Sequence, residues 1–160
     1  MLTPNESIHP AFGKILFSVA DVLIPVVLRQ VTPQPYAWLA VLWLCNPMPA
    51  NIATRGSAES VLGLLLCSTL LVASQRRWFA AAVLLGISVH FKIYPFIYGF
   101  SLLFAVDDQI PSFKESTTAR YWIGRITHKE RVCLFLGSVA TFLILSGAMY
   151  LVYVVPLEAI

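Results

Sequence analysis

Charged residues are scarce in this sequence, and their scarcity argues against a soluble fold. Only 12% of the 160 residues are Asp, Glu, Lys or Arg, whereas 58% are hydrophobic, and the mean hydropathy is +0.77. Soluble globular domains carry about 25% charged residues. The composition therefore predicts an integral membrane protein. The net charge of +3 is too small to indicate a nucleic-acid partner.

Familiar catalytic and metal-binding patterns are also missing. The sequence contains no phosphate-binding glycine loop, no Ser-His-Asp order and no zinc-ligand spacing. Cys45, Cys67 and Cys133 lie in apolar segments without a CxxC pair, so we expect buried, inert thiols and no metal site. The chemistry must therefore be sought in other polar residues.

The sequence does contain one long apolar run and several shorter ones. Residues 132–155 include no charge, and a helix of this length spans a hydrocarbon core of about 30 Å. Shorter apolar segments cover residues 12–28, 36–45, 60–74 and 78–106. Such segments are typical of helices packed on one another, because irregular backbone at membrane depth must be covered. We predict an all-α, polytopic membrane protein with one helical domain over residues 1–160.

Basic residues indicate how the chain is oriented in the membrane. They occur at Arg29, at Arg76 and Arg77, and repeatedly within residues 107–131. Loops rich in lysine and arginine stay on the cytoplasmic side of a membrane. We therefore predict a cytoplasmic loop at about residues 107–131.

Residues 78–106 must cross the membrane and return if all these basic clusters are cytoplasmic. The turn is predicted at HFKIYP (residues 90–95), where Pro95 removes a backbone donor and disfavours helix before it. The alternative is one kinked span, which contradicts the charge bias. The broken pair places HFKIYP and residues 46–59 together on the non-cytoplasmic face.

The stretch NPMPANIATRGSAES, which starts at Asn46, holds the first group of candidate residues. Its prolines should end a helix, and Ser57 or Thr54 should cap the next one with Glu59 in its first turn. Arg55 and Glu59 are spaced to form an ordinary ion pair. The alternative is an anion site, because an arginine beside a helix N-terminus can bind phosphate.

The HFKIYP turn holds the second group. His90, Lys92 and Tyr94 alternate with apolar residues, and a lysine inside an apolar segment is by default a functional candidate. The alternative is that Lys92 reaches the membrane interface, with Tyr94 as an interfacial aromatic and His90 as a packed side chain.

An acidic residue inside the first apolar segment also needs a partner. Asp21 lies seven residues after Lys14 on one helical face, and we expect a structural ion pair across helices. The residues alone thus predict a membrane protein with a non-cytoplasmic site for a phosphate-bearing amphiphile. That site would contain Arg55, Glu59, His90 and Lys92.

Two motifs in a fixed order carry a family resemblance. NPMPANIATRGSAES fits the pattern N-P-x-P followed by S/T-R-G-x-A-[DE]-S, and VHFKIYP follows about thirty residues later. PAFGKILFSVADVL, near the N-terminus, fits the stretch that precedes these motifs. The chain resembles the PIG-M family, the catalytic subunit of GPI mannosyltransferase I. The resemblance covers most of residues 8–106.

The resemblance implies part of a GT-C glycosyltransferase, a helical bundle with several passes through the endoplasmic reticulum membrane and a lumenal active face. Such an enzyme transfers the first mannose, in α-1,4 linkage, from dolichyl-phosphate mannose to glucosaminyl-(acyl)phosphatidylinositol. It implies no cofactor besides this donor. It also implies a PIG-X-like accessory subunit as partner.

The resemblance further implies roles for individual residues. Arg55, His90 and Lys92 would stabilise lipid phosphates, with Glu59 in the same substrate site. Asn46, Ser57 and Tyr94 would orient the turns. The family's acidic D-x-D-like motif of the first lumenal loop does not occur upstream of Thr3. Glu59 is then a candidate general base, but we expect an internal or truncated piece without transferase activity of its own.

Two other functions compete with this interpretation. The missing acidic motif favours a non-catalytic membrane subunit or an inactive fragment of the enzyme. Lys92 within the broken segment is also compatible with a transporter that binds substrate between discontinuous helices. The lack of an internal repeat argues against the transporter.

Overall fold

A computed structural model describes residues 12–55, 57–108 and 128–153, and all regular structure in these residues is α-helical. In chain order the helices are α1 (Phe12–Val31), α2 (Tyr36–Leu44), α3 (Pro47–Thr54), α4 (Glu59–Ser74), α5 (Trp78–Phe91), α6 (Phe96–Asp108) and α7 (Lys129–Tyr153). The all-α prediction is confirmed for the described residues. The number of membrane crossings stays a prediction, as does the single domain.

The helices group into two compact units, Met1–Ser74 and Gln75–Ile160. In the first unit α1 packs against α2, α3 and α4. In the second unit α5 packs against α7, and α6 contacts both. The polar stretch that follows α2 belongs to the first unit, and the HFKIYP turn belongs to the second.

One face of α1 organises the first unit. Phe17, Ala20 and Ile24 recur every three or four residues on this face and are buried. On α4, Leu62 is buried, and a Cβ atom added to Gly63 would lie 3.3 Å from Ile24 Cδ1. The small residue lets α4 approach α1 closely at this point.

Among the described residues, α7 is the one helix long and apolar enough to cross a membrane. It has 25 residues, so it measures about 37 Å, more than a hydrocarbon core of about 30 Å. Most of its side chains are exposed, although the sequence is apolar. The helix predicted at residues 132–155 is confirmed as far as Tyr153, and its crossing of a membrane stays a prediction. Residues 154 and 155 lie outside the described part.

Small residues bring α5 and α7 into close contact in the second unit. A Cβ atom added to Gly86 would lie 2.7 Å from both Ser138 O and Thr141 Cβ. One added to Gly137 would lie 2.9 Å from Ala82 Cβ. Glycine at these positions is what allows two backbones to approach, as is common between membrane helices.

The predicted break within residues 78–106 is confirmed, since α5 ends at Phe91 and α6 begins at Phe96. Both ends of the predicted loop at about residues 107–131 are helical. Helix α6 continues to Asp108, and α7 begins at Lys129. The intervening residues 109–127 lie outside the described part.

The expectation that all three thiols are buried is wrong. Cys45 is exposed, whereas Cys67 and Cys133 are half-buried. Cys45 follows α2, a helix in which no residue is fully buried. An apolar sequence context therefore did not indicate burial at the end of this helix.

Candidate functional site

The asparagine of the N-P-x-P pattern ends one helix and begins the next. Helix α2 ends at Leu44, as predicted for the residues before the prolines. The backbone N–H of Met48 donates to Asn46 Oδ1 at 3.0 Å, and Pro47 occupies the first position of α3. Proline is favoured at this position, because the N–H it lacks would have no partner within the helix. Helix α3 was not predicted, although an Asn-Pro pair is a known helix start.

Arg55 lies between α3 and α4 with its side chain exposed. Its backbone N–H donates to Asn51 O at 3.1 Å, and the N–H of Ser57 donates to Ile52 O at 3.2 Å. These bonds satisfy carbonyl groups at the C-terminal end of α3. The guanidinium group is therefore attached to an ordered helix end rather than to an irregular loop.

The start of α4 agrees with the prediction from the sequence in one respect and differs from it in another. Glu59 lies in its first turn, as predicted. Thr54 does not cap this helix, because it lies five residues before Glu59, and its hydroxyl donates back to Asn51 O at 3.0 Å. The predicted capping role of Thr54 is therefore wrong. Glu59 itself is half-buried.

The HFKIYP turn exposes its lysine and tyrosine. Lys92 has extended backbone angles (φ −150°, ψ 145°), and its N–H donates to Ser88 O at 3.1 Å, which ends α5. The side chains of Lys92, Ile93 and Tyr94 are exposed, whereas Pro95 is buried. Pro95 thus anchors the turn, and Lys92 and Tyr94 project from it.

His90 is held by α7. The ring is half-buried, with Nδ1 at 3.4 Å from Ser146 Oγ. Its edge meets the ring of Phe142, with centroids 6.1 Å apart and planes at 67°. His90 is therefore a packed side chain, which was the alternative to a functional role. Its Nδ1 faces Ser146, and the second ring nitrogen, Nε2, does not take part in that contact.

An apolar groove runs between α5, α6 and α7. Its volume is about 330 Å³, at the lower end of the range of roughly 300–1,000 Å³ that is usual for small-molecule sites. Ile93, which directly follows Lys92, is part of its wall. The other lining residues are Leu85, Gly86, Val89, Phe96, Gly99, Phe100, Leu103, Leu134, Phe135, Ser138, Val139 and Phe142. Their side chains suit a hydrocarbon chain rather than a polar ligand.

The first unit also contains a polar cluster that the sequence did not predict. The carboxylate of Asp21 accepts hydrogen bonds from Ser60 Oγ at 2.8 Å and from Trp43 Nε1 at 3.3 Å. Asp21 is buried, and Lys14 is exposed. The expected partner was a cation, but these two donors are neutral. The apolar context of Asp21 indicated that it needed a partner, although nothing local indicated which residues would supply it.

The seven predicted site residues thus fall into two groups. Asn46, Arg55, Ser57 and Glu59 lie around α3 and the start of α4. His90, Lys92 and Tyr94 lie at the break between α5 and α6. Each group combines a cation with an ordered helix end.

The sequence matches a family profile and several curated relatives. The profile described as Mannosyltransferase (PIG-M) matches residues 52–157. A relative from Dictyostelium discoideum named GPI mannosyltransferase 1 is 34% identical, over 96% of this chain and 38% of its own length. One of the same name from Emericella nidulans is 39% identical, over 98% and 41%. No solved structure matches the chain significantly.

A third relative carries a more specific name. The protein from Danio rerio named GPI alpha-1,4-mannosyltransferase I, catalytic subunit, is 41% identical over 66% of this chain and 29% of its own length. The chain spans about two fifths of the length of the Dictyostelium and Emericella relatives. The profile covers more than half of the chain and includes both the Arg55 segment and the HFKIYP turn. The chain therefore belongs to the PIG-M mannosyltransferase family.

Proposed function

We propose that the chain acts in the first mannosylation of GPI precursors. The mannose would pass in α-1,4 linkage from dolichyl-phosphate mannose to glucosaminyl-(acyl)phosphatidylinositol. The observation that carries this proposal is the profile match over residues 52–157, which includes six of the seven predicted site residues. The names of the relatives, GPI mannosyltransferase 1 and GPI alpha-1,4-mannosyltransferase I, support the same reaction.

The geometry of the second unit supports an amphiphilic substrate. Lys92 is exposed at the end of α5, and the next residue, Ile93, lines the apolar groove. A cation beside a groove of this kind can hold a phosphate and the hydrocarbon chain attached to it. His90 would add a hydrogen-bond donor or acceptor through Nε2.

The first unit carries charged groups of its own that suit an anionic substrate. Arg55 projects from the junction of α3 and α4, where the N-terminus of α4 also favours an anion. Glu59 is the acid nearest in sequence to Arg55 and is our candidate for the general base. Transfer needs a base that accepts the proton of the acceptor hydroxyl while the mannosyl–phosphate bond breaks.

The setting of the reaction is also a proposal. We place the chain in the endoplasmic reticulum membrane, with its active face towards the lumen and the predicted loop at about residues 107–131 in the cytoplasm. The apolar helix α7 supports a membrane location. A PIG-X-like accessory subunit is the partner that the family implies.

Mannose transfer in a chimaera would test the proposal. The chain replaces the matching 38% of the Dictyostelium discoideum relative, and microsomes are assayed with radiolabelled dolichyl-phosphate mannose and glucosaminyl-phosphatidylinositol. We expect transfer by the chimaera, but none by the 160-residue chain alone.

Substitutions then assign the residues. We expect Arg55→Ala and Lys92→Ala each to lower kcat/KM about 10- to 100-fold, because a hydrogen bond to a charged group contributes roughly 1.5–3 kcal/mol. Lys14→Ala is the matched control, since Lys14 is an exposed cation of the first unit. Unchanged transfer in both Arg55→Ala and Lys92→Ala would contradict the proposed phosphate-binding roles. Access of both positions to both sides of the membrane in turn would favour a transporter.

A further inference from the structure

The buried carboxylate of Asp21 is costly and therefore needs an explanation. Its residue is 6% exposed, among Phe17, Ala20 and Ile24 on the packed face of α1. A carboxylate removed from water costs several kcal/mol unless hydrogen bonds replace its hydration. An ionisable residue inside an apolar helix is by default a functional candidate.

The two oxygens of this carboxylate bind two different helices. Oδ2 accepts from Ser60 Oγ of α4 at 2.8 Å, and Oδ1 accepts from Trp43 Nε1 of α2 at 3.3 Å. Tryptophan can only donate through this nitrogen, so the bond has one possible direction. Asp21 thus ties α1 to α2 and α4 at the same point.

The bond from Ser60 differs from those of the other hydroxyl groups of α4. Ser68 donates to Leu64 O and Thr69 donates to Leu65 O, both at 2.8 Å and both within the helix. Serine and threonine within helices commonly bond to such local carbonyl groups. Ser60 instead bonds to another helix, and at 3% exposure it is buried there.

The positions of the two donors show what the carboxylate fixes. Trp43 lies three residues before Asn46, and Ser60 directly follows Glu59. The polar segment of residues 46–59 is therefore attached to one carboxylate at both of its ends. We propose that Asp21 is a positioning residue that sets the spacing of these ends, and with it the placement of Arg55 and Glu59. Its effect on mannose transfer rests on the proposed function, whereas its effect on the segment does not.

An asparagine at position 21 separates positioning from charge. The amide oxygen of asparagine can accept from Trp43, and its NH₂ group can donate to Ser60 Oγ, because a hydroxyl also accepts. Asp21→Asn can therefore keep both connections without the negative charge. Asp21→Ala removes both.

Kinetics in the chimaera test this distinction. We expect Asp21→Ala to lower kcat/KM roughly 10- to 100-fold, the loss usual when a reacting group is misplaced. Asp21→Asn should stay within about threefold of the parent. Trp43→Phe and Ser60→Ala should lower kcat/KM no further when they are added to Asp21→Ala, as expected for one network. Ser68→Ala, which removes a hydroxyl with a local bond, is the control.

Labelling of Cys45 provides a readout that does not depend on activity. Cys45 is exposed and directly precedes Asn46. The rate of reaction with a soluble maleimide is measured in a background where Cys45 is the only cysteine. We expect Asp21→Ala to change this rate severalfold and Asp21→Asn to leave it unchanged. If Asp21→Ala does not accumulate, Ser60→Ala, which removes one of the two hydrogen bonds to Asp21, replaces it in the labelling experiment.

The outcomes separate the two proposals. Loss of transfer in Asp21→Asn equal to that in Asp21→Ala would overturn the positioning role, because the charge itself would then be required. Parent-like Cys45 labelling in Asp21→Ala would also overturn it. A chimaera that transfers no mannose while Cys45 labelling follows the expected pattern would refute the proposed function alone.

Discussion

The two units position their polar residues by different physical means. In the first unit, a buried carboxylate receives directed hydrogen bonds from Trp43 and Ser60 on either side of the polar segment. In the second unit, α5 meets α7 through small residues, and the polar contact between His90 and Ser146 is long, at 3.4 Å. The first unit depends on hydrogen-bond donors and acceptors, and the second unit depends on the small volume of the side chains between its helices.

This difference determines which substitutions each unit should tolerate. A buried acceptor that loses its donor keeps the full cost of its lost hydration, so the first unit should be sensitive to removal of polar atoms. Close-packed helices cannot absorb added atoms without moving, so the second unit should be sensitive to added volume. Substitutions that remove polar atoms from the first unit, or add volume to the second, can therefore test this comparison.

The largest effect is expected where added volume meets the backbone of α7. Gly86→Leu places a side chain where even a Cβ atom would lie 2.7 Å from Ser138 O. Extra methylenes in a packed core typically cost about 1–3 kcal/mol, and a whole leucine side chain against backbone should exceed this range. We expect a lower thermal unfolding midpoint in detergent and loss of the contact between α5 and α7.

Gly147→Leu is the matched control for this substitution. A Cβ atom added at Gly147, also on α7, would meet nothing within 4 Å. Its effect on unfolding should stay within about 0.5 kcal/mol. Equal destabilisation by both substitutions would show that leucine at any glycine of these helices is harmful, and that the close contact at Gly86 is not special.

The second effect concerns the donors of the first unit. Ser60→Ala should destabilise the protein by roughly 1.5–3 kcal/mol, because it removes a short bond to a buried carboxylate. Trp43→Phe should cost less, since its bond is longer, at 3.3 Å. Chemical unfolding of the purified variants gives both values. The reverse order would indicate that the indole ring stabilises mainly by packing.

A smaller effect is expected at the start of α3. Asn46→Ala removes the side-chain oxygen that accepts from the Met48 N–H, and loss of such a cap costs about 1 kcal/mol. Asn46→Asp retains an acceptor and should restore most of this stability. The rate of Cys45 labelling reports on the change locally. Equal labelling in the alanine and aspartate variants would show that the cap does not hold this end of the segment.

The features that the sequence predicted have local causes. Pro95 disfavours helix in the residue before it, so the break between α5 and α6 could be placed within a few residues. The long apolar run predicted α7 from length and composition alone. Glu59 was placed in the first turn of α4 because a carboxylate is favoured there.

The features that were missed depend on distant or ambiguous partners. Asp21 bonds to Trp43, 22 positions away, and to Ser60, 39 positions away, and no spacing rule connects such positions. The Asn46-Pro47 pair is read equally well as the end of one helix or the start of another, and in this chain it is both. Family membership identified the motif residues, but it did not indicate which side chains hold them.

The smallest effect is expected at the polar contact of the second unit. Ser146→Ala removes a hydroxyl at 3.4 Å from His90 Nδ1, beyond the usual range of a hydrogen bond, so its cost in stability should be about 0.5 kcal/mol or less. Phe142 still packs against the ring, yet the ring loses the partner that orients Nδ1. In the chimaera, we therefore expect KM for the proposed lipid donor to rise about two- to threefold with little change in the unfolding midpoint. Ser146→Thr should restore the KM. A loss of stability comparable to that of Gly86→Leu would instead show that this contact holds its unit together through directed bonds, as the hydrogen bonds to Asp21 do in the first unit. The contrast between the two units would then no longer stand.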